Sequence, residues 1–190
     1  GQVSLDRIEE IFQSEPKIIN NKSCDRSNKL IKGLIEAKDL NIRYESSKEN
    51  ALDGINFKIL PGELVAIVGP VGCGKTTLAK ALGRTIDIPK DKLYIDNIDV
   101  KKIDLKYLRK NVAIVPQEAF LFTSTIAENL KFGDPKASIN LVEKSARQAG
   151  LSEDISNFPK GYDTIVGERG ITLSGGQRQR TALGRALLVD

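Results

Sequence analysis

The stretch VGPVGCGKTTL, residues 68–78, sets Gly69, Gly72 and Gly74 ahead of Lys75, Thr76 and Thr77. A Gly-x-x-x-x-Gly-Lys-Thr spacing between an apolar run and a helix-forming run is that of a phosphate-binding loop. Its glycines let the backbone fold so that successive N–H groups point inward as an anion nest. The helix that follows adds the partial positive charge of its N-terminus. Lys75 is placed to reach β- and γ-phosphates, and the Thr76 hydroxyl to ligate Mg²⁺. This chemistry is the binding of a nucleoside triphosphate with its metal. A second stretch, LSGGQRQR, puts Ser174 at a natural N-cap before Gly175 and Gly176, and its helix carries Leu183 and Leu187 four apart. By itself it is another helix start suited to an anion.

These loops need elements to hold them. The run LVAIVG, 64–69, is continuously apolar and predicts a strand buried on both faces of a parallel sheet, followed by a helix beginning near Lys75. Before it, LIEAKDLNIRY and INFKI read as short strands and LPGE, 60–63, as a turn. After it come a strand at KLYID, a short helix at DLKYLRK and a second buried strand at VAIV, 112–115. The remainder reads as mainly helical, over about 124–131, 137–149 and 174–188. That order implies a parallel α/β core with an inserted helical subdomain. At the other end, Val3, Leu5, Ile8, Ile11 and Phe12 recur at helical spacing, Pro16 closes that helix, and NNKSCDRSNK, 20–29, reads as a linker.

Composition narrows the functional classes. The 190 residues are 40% apolar and 28% charged, the balance of a soluble globular protein. No run approaches the roughly 18 apolar residues of a membrane-spanning helix, and the start lacks a signal-peptide pattern. A net charge of +4, spread among acids, together with 5% aromatic residues, argues against a nucleic-acid partner. Cys24 and Cys73 have neither metal-site spacing nor the context of a disulfide framework.

Together, the phosphate loop and LSGGQ make residues 34–190 resemble the nucleotide-binding domain of ATP-binding cassette (ABC) transporters, of the exporter type. The resemblance implies a P-loop NTPase, RecA-like fold: an α/β parallel core with an antiparallel β subdomain and an inserted α-helical subdomain, about 118–185. Residues 1–32 would form the connector from a membrane domain, and 33–190 the cassette. Tyr44, in NIRYE, matches the aromatic that stacks on adenine. Gln117, in VPQEAFLF, matches the glutamine that contacts Mg²⁺ and the attacking water. Glu168, in TIVGERG, matches the acid near the membrane-domain contacts, where AFLFTSTIAENLKF (119–132) would also lie, with most of its apolar residues serving as helical-subdomain core. ATP would lie on Gly69, Gly72, Gly74, Lys75, Thr76 and Thr77, with Thr76 and Gln117 at the metal. Lys75 and Gln117 would be the catalytic pair.

In that family two cassettes meet head to tail, so Ser174, Gly175, Gly176 and Gln177 would serve the ATP of a second cassette. Partners would be that second domain and the coupling helices of transmembrane domains. The location would be the cytoplasmic face of a membrane, the 190-residue piece itself being soluble.

The family's Walker B strand is not found. ALLVD ends in Asp190, only 17 residues after Leu173, earlier than the family places that metal-binding Asp. Ala182, Leu183, Ala186 and Leu187 continue a helical face through the segment, so Asp190 reads as a polar helix end. The catalytic Glu, the D-loop and the switch histidine are missing too, and the chain has no histidine. Gln117 can orient a water but cannot take its proton at neutral pH. The expectation is therefore an incomplete core, lacking its C-terminal part, that exposes apolar edges and binds nucleotide better than it hydrolyses it, while the longer parent is a transport-coupled ATPase. A regulatory module with a degenerate site and a soluble ABC ATPase outside transport are the alternatives. In KDKLYIDN, the turn before the strand lacks the family's usual glycine.

Overall fold

Two strands, β1 (Ile35–Ile42) and β2 (Leu52–Ile59), pair antiparallel from Ile35↔Ile59 to Ile42↔Leu52. Strict alternation would bury every second residue, yet Ala37 and Leu40, three apart, are both buried. A register shift between them supplies the extra residue, with Asp39 at φ 47° donating its N–H to Asn56 Oδ1 at 2.8 Å. β1 also pairs with β3 (Leu93–Ile95), which turns back into β4 (Ile98–Asp99), so the sheet order is β2-β1-β3-β4. Asp96 and Asn97, at φ 50° and 64°, make the tight turn between the last two. The turn before β3 needs a left-handed residue as well, and Asp91 takes it at φ 55°, its N–H bonded to Asp99 Oδ2 at 2.9 Å.

The computed structural model describes residues 31–167 and 171–189, together with 5, 8, 9, 12, 13, 16, 18–20 and 24. The chain forms two compact units, 1–109 and 110–190. The first holds the sheet, α1 (Lys75–Leu82) and most of α2 (Leu105–Asn111), with Leu40, Leu93, Ile95, Val100 and Leu108 in its core. Leu5, Ile8, Glu9, Phe12 and Gln13 are helical and exposed. The rest of the predicted N-terminal helix and most of the linker lie outside the described residues.

The second unit is helical. It contains α3 (Ile126–Lys131), α4 (Ile139–Gln148), α5 (Ser152–Ser156) and α6 (Gly175–Leu188), with one short ladder of β5 (Ser124–Thr125) against β6 (Ile165–Val166). Three of these four helices start at a side-chain cap. Thr125, Ser138 and Ser174 cap α3, α4 and α6 by accepting from Glu128, Leu141 and Gln177 N–H, each cap worth roughly 1 kcal/mol. Ile126, Leu130, Val142, Ala146, Leu151, Ile155, Val166, Leu173 and Leu188 form the core of this unit. Gly184 lets α6 come close to α3, since a Cβ there would lie 2.5 Å from Leu130 Cδ2. Arg185 ties the same helices together: it donates to Asn129 O and Oδ1, both at 2.7 Å, and to Phe120 O, while stacking near Phe122 and Phe132. Burial lowers the pKa of its guanidinium from the usual value.

One expectation needs correction. Residues 64–69 and 112–115 form no strand and pair with none among the described residues, and Leu64, Val68 and Ile114 are exposed. An apolar run states a demand for burial, whereas a ladder needs a neighbouring strand, and every described strand pairs antiparallel. The signature helix does run through ALLVD to Leu188, but its buried face is Thr181, Ala182, Gly184 and Leu188. Leu183 and Leu187 lie on its exposed flank, because the close approach to α3 is made at Gly184. In AFLFTSTIAENLKF, Ile126, Ala127 and Leu130 are core, whereas Phe120 and Phe132 are exposed.

Candidate functional site

In the first unit the phosphate loop leads directly into α1. Gly72 and Gly74 sit at φ 87° and 93°, a region side chains rarely enter. At Gly74 a Cβ would also strike the Ala51 carbonyl and Leu52 Cδ2. Gly69 is constrained differently, because a Cβ there would lie 2.6 Å from Cys73 Sγ. Gly74 is the N-cap of α1 and offers no side-chain cap. The first-turn N–H groups therefore have no side-chain acceptor at the cap, and intrahelical bonding leaves the first four without partners. Lys75 folds back over this turn, its ammonium donating to Gly69 O at 2.9 Å and Pro70 O at 2.7 Å, 3.6 Å from Cys73 Sγ. The cation and the helix end thus converge on one loop, which is what a polyphosphate requires.

Tyr44 is brought to the same helix. Its hydroxyl shares a 3.1 Å hydrogen bond with Thr77 Oγ1, and Thr77 is buried on α1. The ring borders an open cavity of about 690 Å³ whose walls include Arg43, Asp87, Ile88 and Lys101. Thr76 stays exposed at the start of the helix. Gly69, Gly72, Gly74, Lys75, Thr76, Thr77 and Tyr44 are thus assembled in one unit.

The second unit gathers the other predicted residues. Ser174 and Gln177 form a reciprocal capping box: Ser174 Oγ accepts from Gln177 N–H at 3.2 Å, and Gln177 Oε1 accepts from Ser174 N–H at 2.9 Å. Ser174, Gly175 and Gly176 are exposed, and a Cβ on Gly175 would meet nothing. Gln117 is exposed as well, and its carbonyl lies 3.5 Å from the Gln179 amide. Gln117, Gly176, Gln179, Arg180 and Leu183 share an open cavity of about 460 Å³.

Two groups went unread in the sequence. Asp154, on α5, takes Gln177 Nε2 at 3.0 Å on one oxygen and Arg180 Nε and NH2 at 3.2 and 2.6 Å on the other. The Gln177 amide first, then Arg180, holds its carboxyl below the usual carboxylate range, against a smaller upward push from burial. Nothing in the spacing of SEDIS announces this contact, which joins positions far apart in the chain. Asp96 accepts the N–H groups of Lys32, Gly33 and Leu34 at 2.6, 3.2 and 3.0 Å, fixing the end of the linker on the sheet. Glu168 and Asp190 lie outside the described residues, and no cluster of three His, Cys, Asp or Glu suited to a metal occurs among the described ones.

A family model for "ABC transporter" matches residues 52–190. The chain belongs to the ABC transporter family. The match covers the phosphate loop and the signature turn together. The chain is 42% identical over 189 residues to the multidrug resistance-like ATP-binding protein MdlA of Buchnera aphidicola, covering 100% of this chain and 32% of that protein. It is 38% identical over 189 residues to the ATP-dependent lipid A-core flippase of Aromatoleum aromaticum, covering 99% of this chain and 31% of the relative. Among solved structures it is similar to a bacterial Atm1-family ABC exporter with ATP bound, at TM-score 0.89 and 31% identity over 100% of this chain and 33% of that one. The chain therefore has the P-loop fold of an exporter-type ABC nucleotide-binding domain and spans about a third of the length of these relatives. Among the described residues, no helix is long and apolar enough to cross a membrane.

Proposed function

We propose that this chain is the ATP-binding cassette of an ABC exporter, with residues 1–32 as its connector and 33–190 as the cassette. One observation carries the reading: an uncapped helix start at Gly74, with the Lys75 ammonium folded over the same loop. The loop's N–H groups bind phosphoryl oxygens, and Lys75 exchanges its carbonyl partners for the β- and γ-phosphates. Thr76 Oγ1 and the Gln117 amide oxygen would be the protein donors for Mg²⁺. That ion, when bound, neutralises charge on the β- and γ-phosphoryl oxygens. Tyr44 is the platform for adenine, released from Thr77 or turned about that bond. Gln117 orients the attacking water.

Ser174, with the Gly175 and Gly176 N–H groups, serves the nucleotide of a second cassette paired head to tail. ATP binding joins two such domains and hydrolysis releases them, which couples chemistry to movement of a substrate through transmembrane domains. The site sits on the cytoplasmic face of the membrane, with coupling helices as contacts. The likeness to an Atm1-family ABC exporter with ATP bound supports this reading, as do the Asp96 bonds that seat the connector's end.

The experiment is a pair of variants. Lys75→Ala abolishes Mg-ATP binding measured by calorimetry, whereas Ser174→Arg leaves binding intact and blocks nucleotide-driven pairing in sedimentation. Equal loss of binding in both variants overturns the head-to-tail assignment.

A further inference from the structure

Within the signature turn, the side chain of Gln177 faces inward. Its amide oxygen holds the Ser174 N–H and its amide nitrogen donates to Asp154. Arg180, one turn further along α6, is neutralised on the other oxygen of the same carboxylate. One acid on α5 thus grips two positions of the signature helix, three residues apart and on one face. The grip decides what the turn presents to an incoming anion. Ser174 N–H is spent, whereas the Ser174 hydroxyl and the exposed Gly175 and Gly176 remain outward. It also removes a free cation from beside the turn, since Arg180 borders the Gly176 cavity and its NH1 lies 3.3 Å from where a Gly176 Cβ would stand. A loose Arg180 would attract phosphate in any geometry, whereas the paired one leaves recognition to the directed donors of the turn, beside the exposed Arg178, whose guanidinium is held on Leu173 O at 2.8 Å.

We infer that Asp154 is a positioning residue for the signature turn, acting through Gln177 and Arg180 on nucleotide-driven pairing. The inference rests on the proposed head-to-tail reading. Asp154 touches no nucleotide in this account; its effect passes through the orientation of Gln177.

The test compares wild type, Asp154→Ala, Asp154→Glu, Gln177→Ala and the double variant Asp154→Ala/Gln177→Ala in the full chain. Pairing is measured by sedimentation in Mg²⁺ with a non-hydrolysable ATP analogue, and binding of that analogue to the monomer by calorimetry. Loss of hydrogen bonds to a charged group predicts pairing about tenfold weaker in Asp154→Ala, with monomer affinity unchanged within about twofold. Asp154→Glu recovers part of the loss. Because both residues act through one contact, the double variant is no more than about twofold worse than either single one. Unchanged pairing in Asp154→Ala, losses that multiply in the double variant, or a parallel fall in monomer affinity overturns the inference. If wild type binds the analogue but does not pair, the head-to-tail reading fails and takes this inference with it. If wild type pairs and Asp154→Ala pairs equally well, only the role of Asp154 falls.

Discussion

The phosphate loop and the signature turn are both glycine-flanked helix starts, yet they are finished in opposite ways. At Gly74 the helix begins without a side-chain cap, in a left-handed backbone wedged against Ala51 and Leu52, and the nearest cation folds over the loop. At Ser174 the helix is closed by its own capping box, backed by Asp154, and Gly175 faces open space while Gly176 lies beside the Arg180 guanidinium. The first start leaves its donors and its charge for a ligand to satisfy. The second satisfies its own cap and offers a shaped surface on which Arg180 is paired with Asp154. The difference suits a site that must bind polyphosphate on its own and another that acts only once a nucleotide is brought to it.

Glycine substitutions break this comparison most sharply. Gly74→Ala forces a Cβ into backbone and Leu52, so overpacking and left-handed strain lower stability by about 2–4 kcal/mol. Gly175→Ala meets nothing and stays within about 0.5 kcal/mol of wild type. Denaturant unfolding of the two variants checks the contrast, and equal losses would erase it. A smaller effect follows at the cap: Ser174→Ala costs about 1 kcal/mol in the same measurement. Gly74→Ser should not recover wild-type stability, because the obstacle there is space and φ rather than a missing cap.

The smallest expected effect is in acid. Asp154 has its folded pKa depressed by Gln177 and Arg180, so its contribution to stability is present above the unfolded carboxylate pKa and is lost as pH falls through the folded value. Wild type should therefore lose up to about 1 kcal/mol more than Asp154→Asn between the ordinary carboxylate range and the lower folded pKa. Thermal unfolding across that window reads the difference, and parallel pH profiles would show that the carboxylate is not gripped in solution.

Local signals and distant contacts explain what was legible in the sequence. The cap at Ser174, the helices near 124–131 and 137–149 and the turn at LPGE are coded by adjacent residues and are found where expected: Glu63 N–H bonds Leu60 O at 3.2 Å across that turn. The runs at 64–69 and 112–115 depend on neighbours that local pattern cannot supply, and there the strand expectation fails. Leu183 and Leu187, four apart, mark the helix that is found, but the contact at Gly184 rather than the heaviest residues sets the buried face of α6. Of the candidate site, the residues of both loops were legible. The pairing of Tyr44 with Thr77 and the grip of Asp154 on Gln177 were not, because each joins elements through a fold rather than through spacing.

The most direct measurement is thermal unfolding of the full chain with and without Mg-ATP, beside Lys75→Ala under the same conditions. At a ligand concentration of about 100 times the dissociation constant, binding to the native state adds roughly 2.7 kcal/mol. For a chain of this length that is an upward shift of about 5–11 °C. The account predicts this shift for wild type and none for Lys75→Ala. An unmoved wild-type transition, or an equal shift in Lys75→Ala, would contradict the assignment of the Gly69–Thr77 loop as the nucleotide site.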